Sequence, residues 1–281
     1  IADQAQPSFY GCEFKNNWAN DPDYGVEGGA VFINTPNSEN DLKNAIVFKE
    51  TKFIGNYAMG KQSASGGAVR AGRNTIFENC LFVKNGAIGG NGQNSGTWEN
   101  AEGGAIYSAG SWSSTGITTV IANSTFDSNY VEVRTNSGNP AGADIFYGYG
   151  GGNQDVSMKA YVFNTIITGS YRMRGAGEDQ GKAFTEDEKR KLFYTHDEDK
   201  NRININYSII EGSEGQSWQD DNVFDISPVY NNQSSQDYSL SILSPAIGQG
   251  TSSYESNDAP SIDILGNSRP NPSGSTIDIG A

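Results

Sequence analysis

A short pattern that returns at a nearly constant interval constrains this chain more than any other feature. Apolar residues are followed by a small residue, a spacer, an aromatic, two spacers and an asparagine. The pattern reads Phe9-Tyr10-Gly11-Cys12-Glu13-Phe14-Lys15-Asn16-Asn17 and returns at Thr51-Lys52-Phe53-Ile54-Gly55-Asn56. It recurs at Cys80-Leu81-Phe82-Val83-Lys84-Asn85 and Ser124-Thr125-Phe126-Asp127-Ser128-Asn129. Weaker copies follow at Thr165-Ile166-Ile167 and Ser208-Ile209-Ile210. The aromatic or Ile position steps by 39, 29, 44, 41 and 43 residues. A second motif alternates with the first: Gly28-Gly29-Ala30, Gly66-Gly67-Ala68, Gly103-Gly104-Ala105 and Ala141-Gly142-Ala143. Its alanine steps by 38, 37 and 38 residues. Two strand-like motifs interleaved at one shared period are the mark of a β-solenoid. The expected fold is all-β, a right-handed parallel β-helix with coils of roughly forty residues, a short helical insertion and an irregular C-terminal cap.

Stacking physics turns the repeat into residue-level expectations. Equivalent residues of successive coils lie about 4.8 Å apart. Phe14, Phe53, Phe82 and Phe126 then form an internal aromatic column. Asn17, Asn56, Asn85 and Asn129 form a corner ladder in which each amide bonds the next. The small position (Cys12, Thr51, Cys80, Ser124, Thr165, Ser208) faces inward. The glycine pairs make a corner too tight for a Cβ, or one needing positive φ. Cys12 and Cys80 share a column two coils apart, roughly 9–10 Å, too far for a disulfide, which needs Cα atoms within about 7 Å. Two free, buried thiols are expected.

Composition fits a thin stack. Hydrophobic residues make up only 35% of the chain and mean hydropathy is -0.57, yet 31 residues are aromatic, too many for a typical disordered chain. A solenoid layer needs few inward side chains. The net charge of -14 argues against nucleic acid and anionic membrane surfaces as partners. No apolar run approaches the about 18 residues of a membrane span, so no membrane insertion by this segment is expected. The opening Ile1-Ala2-Asp3-Gln4 reads as part of a larger chain or assembly whose earlier coils are missing.

Functional candidates lie where the repeat is interrupted. The segments 18–27, 57–65, 86–102 and 130–140 read as loops leaving one corner and clustering on one side. They carry Trp18, Asp21, Asp23, Tyr24, Tyr57, Lys61, Trp98, Glu99, Tyr130, Glu132 and Arg134. Of these, Trp18, Asp21, Asp23, Tyr24, Tyr57, Trp98, Glu99, Tyr130 and Arg134 are the candidate ligand-binding set, because aromatics beside carboxylates grip sugar rings. Residues 171–203 read as an insertion in the fifth coil. Thr185-Glu186-Asp187-Glu188 has capping-box spacing and predicts a short helix from Glu186 to about Tyr194. His196, the only histidine, sits there among Asp197, Glu198 and Asp199, as expected of a solvated charged excursion. No paired-Cys, His-Glu-x-x-His or EF-hand motif occurs. No cofactor is implied, although Asp-rich loops are compatible with a calcium ion. Asp220-Asp221, the only adjacent aspartate pair, lacks a second acidic strand position. Arg70, Lys159, Arg172 and Arg174 qualify for lyase chemistry by residue type alone. No catalytic residue is assigned.

From Asn222 the repeat gives way to Val223-Phe224-Asp225, Asp237-Tyr238-Ser239-Leu240 and Ser244-Pro245-Ala246-Ile247. Asp263, Gly266, Arg269-Pro270 and Asp278-Ile279-Gly280-Ala281 follow. This resembles the end of bacterial right-handed parallel β-helix proteins of the choice-of-anchor Q type. Gly248 departs from the aspartate of many relatives, which usually also carry an aromatic and a Glu after the position of Ala281. The paired motifs over residues 9–146 resemble the repeats of chlamydial polymorphic outer-membrane proteins. The two likenesses imply a secreted protein or one held on the bacterial outer surface. The expected organisation is 1–221 as coils and 222–281 as a closing segment. In it, Asp258, Asp263 and Arg269 form a polar clamp that folds chain over the open end. The favoured function is a non-enzymatic module for adhesion, glycan binding or surface scaffolding, with glycans or cell-surface components as partners. The alternative is a polysaccharide lyase or glycoside hydrolase with its groove along the β-helix.

Overall fold

The computed structural model of the chain describes residues 6–33, 42–90, 99–110, 116–135, 138–149, 159–174, 193–195, 203–215 and 219–281. They form a parallel β-helix. Each of the first four coils contributes one short strand to each of five parallel sheets. The first sheet stacks Ser8–Tyr10, Ile46–Lys49, Thr75–Glu78, Thr118–Ala122, Lys159–Phe163 and Ile203–Asn206. The second runs from Glu13–Lys15 to Ser208–Ile210 and ends on Val223–Phe224. The third holds Trp18–Asp21, Tyr57–Gly60, Gly86–Gly89, Tyr130–Val133 and Tyr171–Arg174. The fourth holds Val26–Glu27, Ala64–Ser65, Asn100–Glu102 and Asn139–Ala141, and the fifth begins at Val31–Ile33 and ends at Phe193–Thr195.

The segments read as loops are therefore largely strands. The residues that follow each ladder position pair in register from coil to coil, and within these segments it is the turn between the third and fourth sheets that varies in length. The fifth-coil insertion narrows likewise. Tyr171–Arg174 pairs with Tyr130–Val133, and Phe193–Thr195 pairs with Ile145–Tyr147, so these parts of the expected insertion are strands of the coil. The helix expected over 186–194 falls mostly outside the described residues, but its last turn is corrected: Phe193 and Tyr194 are strand. Among the described residues the helical turns are two 3₁₀ segments, Leu42–Asn44 and Gln233–Ser235. None is long and apolar enough to cross a membrane.

Inside the stack the columns form as expected. Phe14, Phe53, Phe82 and Phe126 stack with centroids 5.0, 4.7 and 4.5 Å apart, and Ile167 and Ile210 continue the row. A second column, Phe9, Phe48 and Phe77, packs edge-on against the first. The amide ladder runs through the core: the Nδ2 groups of Asn17, Asn56 and Asn85 donate to the Oδ1 of the next asparagine at 2.9–3.0 Å. The small column makes a further ladder. Thr51, Ser124, Thr165 and Ser208 each donate to the carbonyl two residues back, while Ser124, Thr165 and Ser208 accept a backbone N–H from the coil before. Both cysteines are free. Cys80 is fully buried, and burial pushes its thiol up to about 12, whereas Cys12, in the first described coil, is only half-buried.

The glycine corner explains its own sequence. Gly66 has φ +70°, and a Cβ on Gly67 would stand 2.0 Å from the Gly104 carbonyl oxygen. The fourth copy is displaced by one residue from the sequence alignment. Ala105 N–H bonds the Asp144 carbonyl, as Ala68 N–H bonds that of Ala105. Asp144, not Ala143, therefore occupies the inward alanine position, and it is fully buried.

The C-terminal segment lies along the flank of the stack, a correction to the expectation of a lid over its end. The cause is a row of outward asparagines at the corner between the first and second sheets. Asn79, Asn123 and Asn164 adopt positive φ there. Their amides donate to the carbonyls of Ile262 (2.7 Å), Asp278 (3.1 Å) and Thr251 (2.7 Å). Asp127 accepts from the Tyr238 hydroxyl and the Gln233 amide, at 2.6 and 2.9 Å. Ala246 and Ile279 pack on Ile166 and Ile209. The clamp is partly rearranged. Arg269 donates to the Gly280 carbonyl at 2.9 Å, but Asp263 caps its own turn and Asp278 instead receives Gly248 N–H. Asp258 belongs to the small hairpin Ser253–Tyr254/Asn257–Asp258.

Candidate functional site

The third sheet positions most of the candidate residues. Strand alternation sends Ala19, Ala58, Ala87 and Val131 inward and the residues between them outward. The outward row is Trp18, Tyr57, Gly86, Tyr130 and Tyr171, in register across the coils. Trp18 stacks on Tyr57 at 6.2 Å and 24°, and Tyr130 stacks on Tyr171 at 5.3 Å and 7°. Gly86 makes room between the pairs, since a Cβ there would stand 2.1 Å from the Tyr130 ring. Burial pushes the Tyr130 hydroxyl up to about 12. Tyr171, assigned by sequence to the insertion, is the fifth-coil member of this row.

The turn between the third and fourth sheets adds the rest. Asp21 Oδ1 accepts the N–H groups of Asp23 and Tyr24 at 2.8 and 2.9 Å, and its carbonyl accepts Lys61 N–H. This fixes the exposed Asp23 and Tyr24, the latter 68% exposed, in the turn that follows the strand opened by Trp18, itself 60% exposed. Trp18, Asp21, Asp23, Tyr24, Tyr57 and Lys61 therefore share one edge, on the first and second coils. Tyr130, Glu132 and Arg134 lie on the fourth, where Arg134 Nε meets Glu132 Oε1 at 2.8 Å. Glu99 departs from its expected role. It is buried, and its carboxylate accepts the Thr135 hydroxyl, so it faces packing rather than solvent. Trp98 and His196 lie outside the described residues.

The catalytic candidates by type do not converge. Lys159 is exposed on the first sheet, and Asp220 accepts its neighbour's N–H at 2.6 Å. Arg172 is buried in line with Ala58 and Val131. Arg70 differs: it stands on the fifth sheet with its Nε 3.5 Å from Glu27 Oε2. Among the described residues no three His, Cys, Asp or Glu side chains come together to hold a metal. A cavity of about 280 Å³ lies between the C-terminal segment and the stack, lined by Lys52, Leu81, Tyr238, Ile247, Arg269 and Ile279. None of the candidate ligand-binding residues reaches it. Comparisons of the chain with protein-family models, curated proteins and solved structures found no match.

Proposed function

We propose that this chain is a non-enzymatic module of a secreted or surface-held bacterial protein, and that it binds glycans at the outer edge of its third sheet. One observation carries the reading: Trp18 stacks on Tyr57 while much of its surface remains open. A stacking partner limits the positions an exposed aromatic can take and so lowers the conformational cost when a ligand arrives. Its apolar face suits the C–H face of a sugar ring, and the exposed Asp23, in the turn that ends the same strand, is an acceptor for hydroxyls. Location outside the cell follows from the family resemblance of the repeats and the closing segment. Adhesion or surface scaffolding is the corresponding biological role.

The test is a glycan array followed by calorimetry on the full chain, with cello-, chito-, laminari- and manno-oligosaccharides as probes. The expected result is saturable binding to at least one series, weakened tenfold or more by Trp18→Ala. Absence of binding to every series, or unchanged affinity in Trp18→Ala, overturns the reading. The alternative, a lyase or hydrolase, is favoured by Arg70 standing beside Glu27 on an adjacent coil. Release of unsaturated or reducing sugars from a polysaccharide would establish it instead.

A further inference from the structure

A second cavity, of about 270 Å³, opens where the closing segment leaves the last coils of the second sheet. Strand alternation puts Asp127, Thr168 and Glu211 in one outward row there, each one position after a core residue, Phe126, Ile167 or Ile210. The closing segment folds back toward that row and adds Asp225 and Tyr230 to the lining. The row draws in around Gly169. Its N–H donates to Glu211 Oε2 at 2.7 Å, and a Cβ on it would stand 2.9 Å from Asp127 Oδ1. Both carboxylates therefore reach one backbone position, from the coils before and after it.

The groups in this cavity are unequally served. Asp127 is buried and accepts from Gln233 and Tyr238. Asp225 accepts the N–H groups of Gly212 and Glu214 at 3.0 and 3.2 Å. Backbone amides thus position Glu211 and Asp225 without neutralising them. The two hydroxyls differ. Thr168 Oγ1 and Tyr230 Oη are both buried, and neither meets a partner at hydrogen-bonding geometry among the described residues. They adjoin one another: burial raises the Tyr230 pKa, the Asp127 charge adds to it, and the Thr168 hydroxyl opposes both. Buried hydroxyls are normally hydrogen-bonded, so two left unserved at the wall of one cavity point to donors from outside. The charged residues of that wall are all carboxylates, three against no cation. Glu211 and Asp225 are exposed and leave the cavity open to solvent. A concave site of one sign, in a chain of net charge -14, concentrates cations.

We propose that this cavity receives a guanidinium group, with Glu211 and Asp225 supplying the opposite charge and Thr168 and Tyr230 accepting further N–H groups. A guanidinium is all donor, with five N–H groups in a planar fork. Two of them bond a carboxylate in parallel. It is more weakly hydrated than an ammonium, so partial burial costs it less, and its plane stacks on rings such as that of Tyr230 at the cavity wall. A metal ion is the poorer occupant, since among the described residues no three acidic side chains come together to hold one. The site does not use the third-sheet edge and stands without the glycan reading. An arginine side chain of a partner and a free guanidinium compound are two sources of the same chemistry.

The experiment is calorimetric titration of the full chain at pH 7 and low salt with Nα-acetyl-arginine amide, free L-arginine, Nα-acetyl-lysine amide and calcium chloride. Saturable binding of the arginine amide is expected, about tenfold or more tighter than that of the lysine amide and weakened by added salt. Glu211→Gln keeps an acceptor for the Gly169 N–H, retains the fold by circular dichroism and weakens binding about tenfold. Thr168→Val, isosteric and suited to a strand, leaves every charge in place and weakens binding about threefold or more. Trp18→Ala leaves this binding unchanged, which separates failure here from failure of the third-sheet site. Tighter binding of the amide supports a partner's side chain as the source, and tighter binding of free arginine supports a small molecule. No saturation with either guanidinium, equal affinity for the lysine amide, or unchanged affinity in Glu211→Gln or Thr168→Val overturns the site. Calcium that binds and displaces the arginine amide overturns it in favour of a metal.

Discussion

Replacing Asp144 with asparagine gives the sharpest test of how the stack is built. The ladder position that holds Asn17, Asn56, Asn85 and Asn129 holds Ser170 in the fifth coil, and a serine is too short to repeat the amide bond. Asp144 reaches in from the alanine column instead. Its Oδ1 accepts from Asn129 Nδ2 at 3.0 Å and from the Ser170 hydroxyl at 2.7 Å, while its buried Oδ2 has no partner. Burial pushes the carboxyl up to about 7, against the lowering effect of those two donors. In the unfolded chain an aspartate titrates near 3.9. The native state therefore binds the extra proton between these values, and stability falls as pH rises through that window, levelling above pH 7. From pH 5 to 8 the titrating span is about two units, or about 3 kcal/mol at roughly 1.4 kcal/mol each. Asp144→Asn keeps the Oδ1 acceptor and does not titrate. Its stability relative to wild type should thus improve by about 3 kcal/mol between pH 5 and pH 8, whatever the fixed cost of its Nδ2. Glu102, whose carboxyl burial also raises to about 7, titrates in both proteins and cancels. Denaturant unfolding of both proteins at pH 5, 6, 7 and 8 measures the difference. A stability gap that stays constant within about 1 kcal/mol across that range would refute the buried, proton-holding carboxyl.

Asn85→Ala strands the backbone N–H and Nδ2 of Asn56, which both donate to Asn85 Oδ1 in the dry interior. At about 1–3 kcal/mol for each of the two unserved groups, a loss of about 2–6 kcal/mol is expected in denaturant unfolding, and a loss below about 1 kcal/mol would count against a continuous ladder. Gly67→Ala sets a Cβ 2.0 Å from the Gly104 carbonyl oxygen, backbone that cannot move alone, and should abolish soluble folded protein. Gly11→Asn, at φ +58° with open space around the new side chain, should shift stability by less than about 1 kcal/mol in thermal melts.

What the sequence made legible follows the geometry of a column. A residue that stacks on its own counterpart repeats once per coil, so the rows through Phe53 and Asn85 appear as a period. The second aromatic column was available on the same principle. Phe9, Phe48 and Phe77 each precede a ring of the first column by 5 residues. The asparagine before each small residue, at 79, 123 and 164, marked the outward row that holds the C-terminal segment. The third and fourth sheets were hidden because the turn between them varies in length and breaks the period just after each strand. Asp144 was misplaced because an Ala-Gly-Ala triplet imitates Gly-Gly-Ala one residue out of step. The cavity beside Gly169 was half legible. Asp127, Thr168 and Glu211 each follow a core-column residue by one position and so share its period. Asp225 and Tyr230 carry no periodic signal, and only the folding back of the closing segment brings them to that row.

That division suggests why function should be sought where the closing segment does not pack. Inward positions are bound by the stacking rule, because a change in one coil strands partners in the next. Outward positions are bound only where something packs on them. Over the first and second sheets something does: the C-terminal segment is held by Asn79, Asn123, Asn164 and Asp127 and buries Ile166 and Ile209. Its own apolar residues settle against that flank, so outside the cavity beside Gly169 the flank serves stability. The third, fourth and fifth sheets carry no such cover among the described residues. Yet their outward rows are ordered: Trp18 stacks on Tyr57, Tyr130 on Tyr171, and Arg70 lies between two rings. Ordering exposed aromatics gains the stack little in stability. That order becomes intelligible if the side without such cover is where a ligand adds the contacts that the chain leaves open.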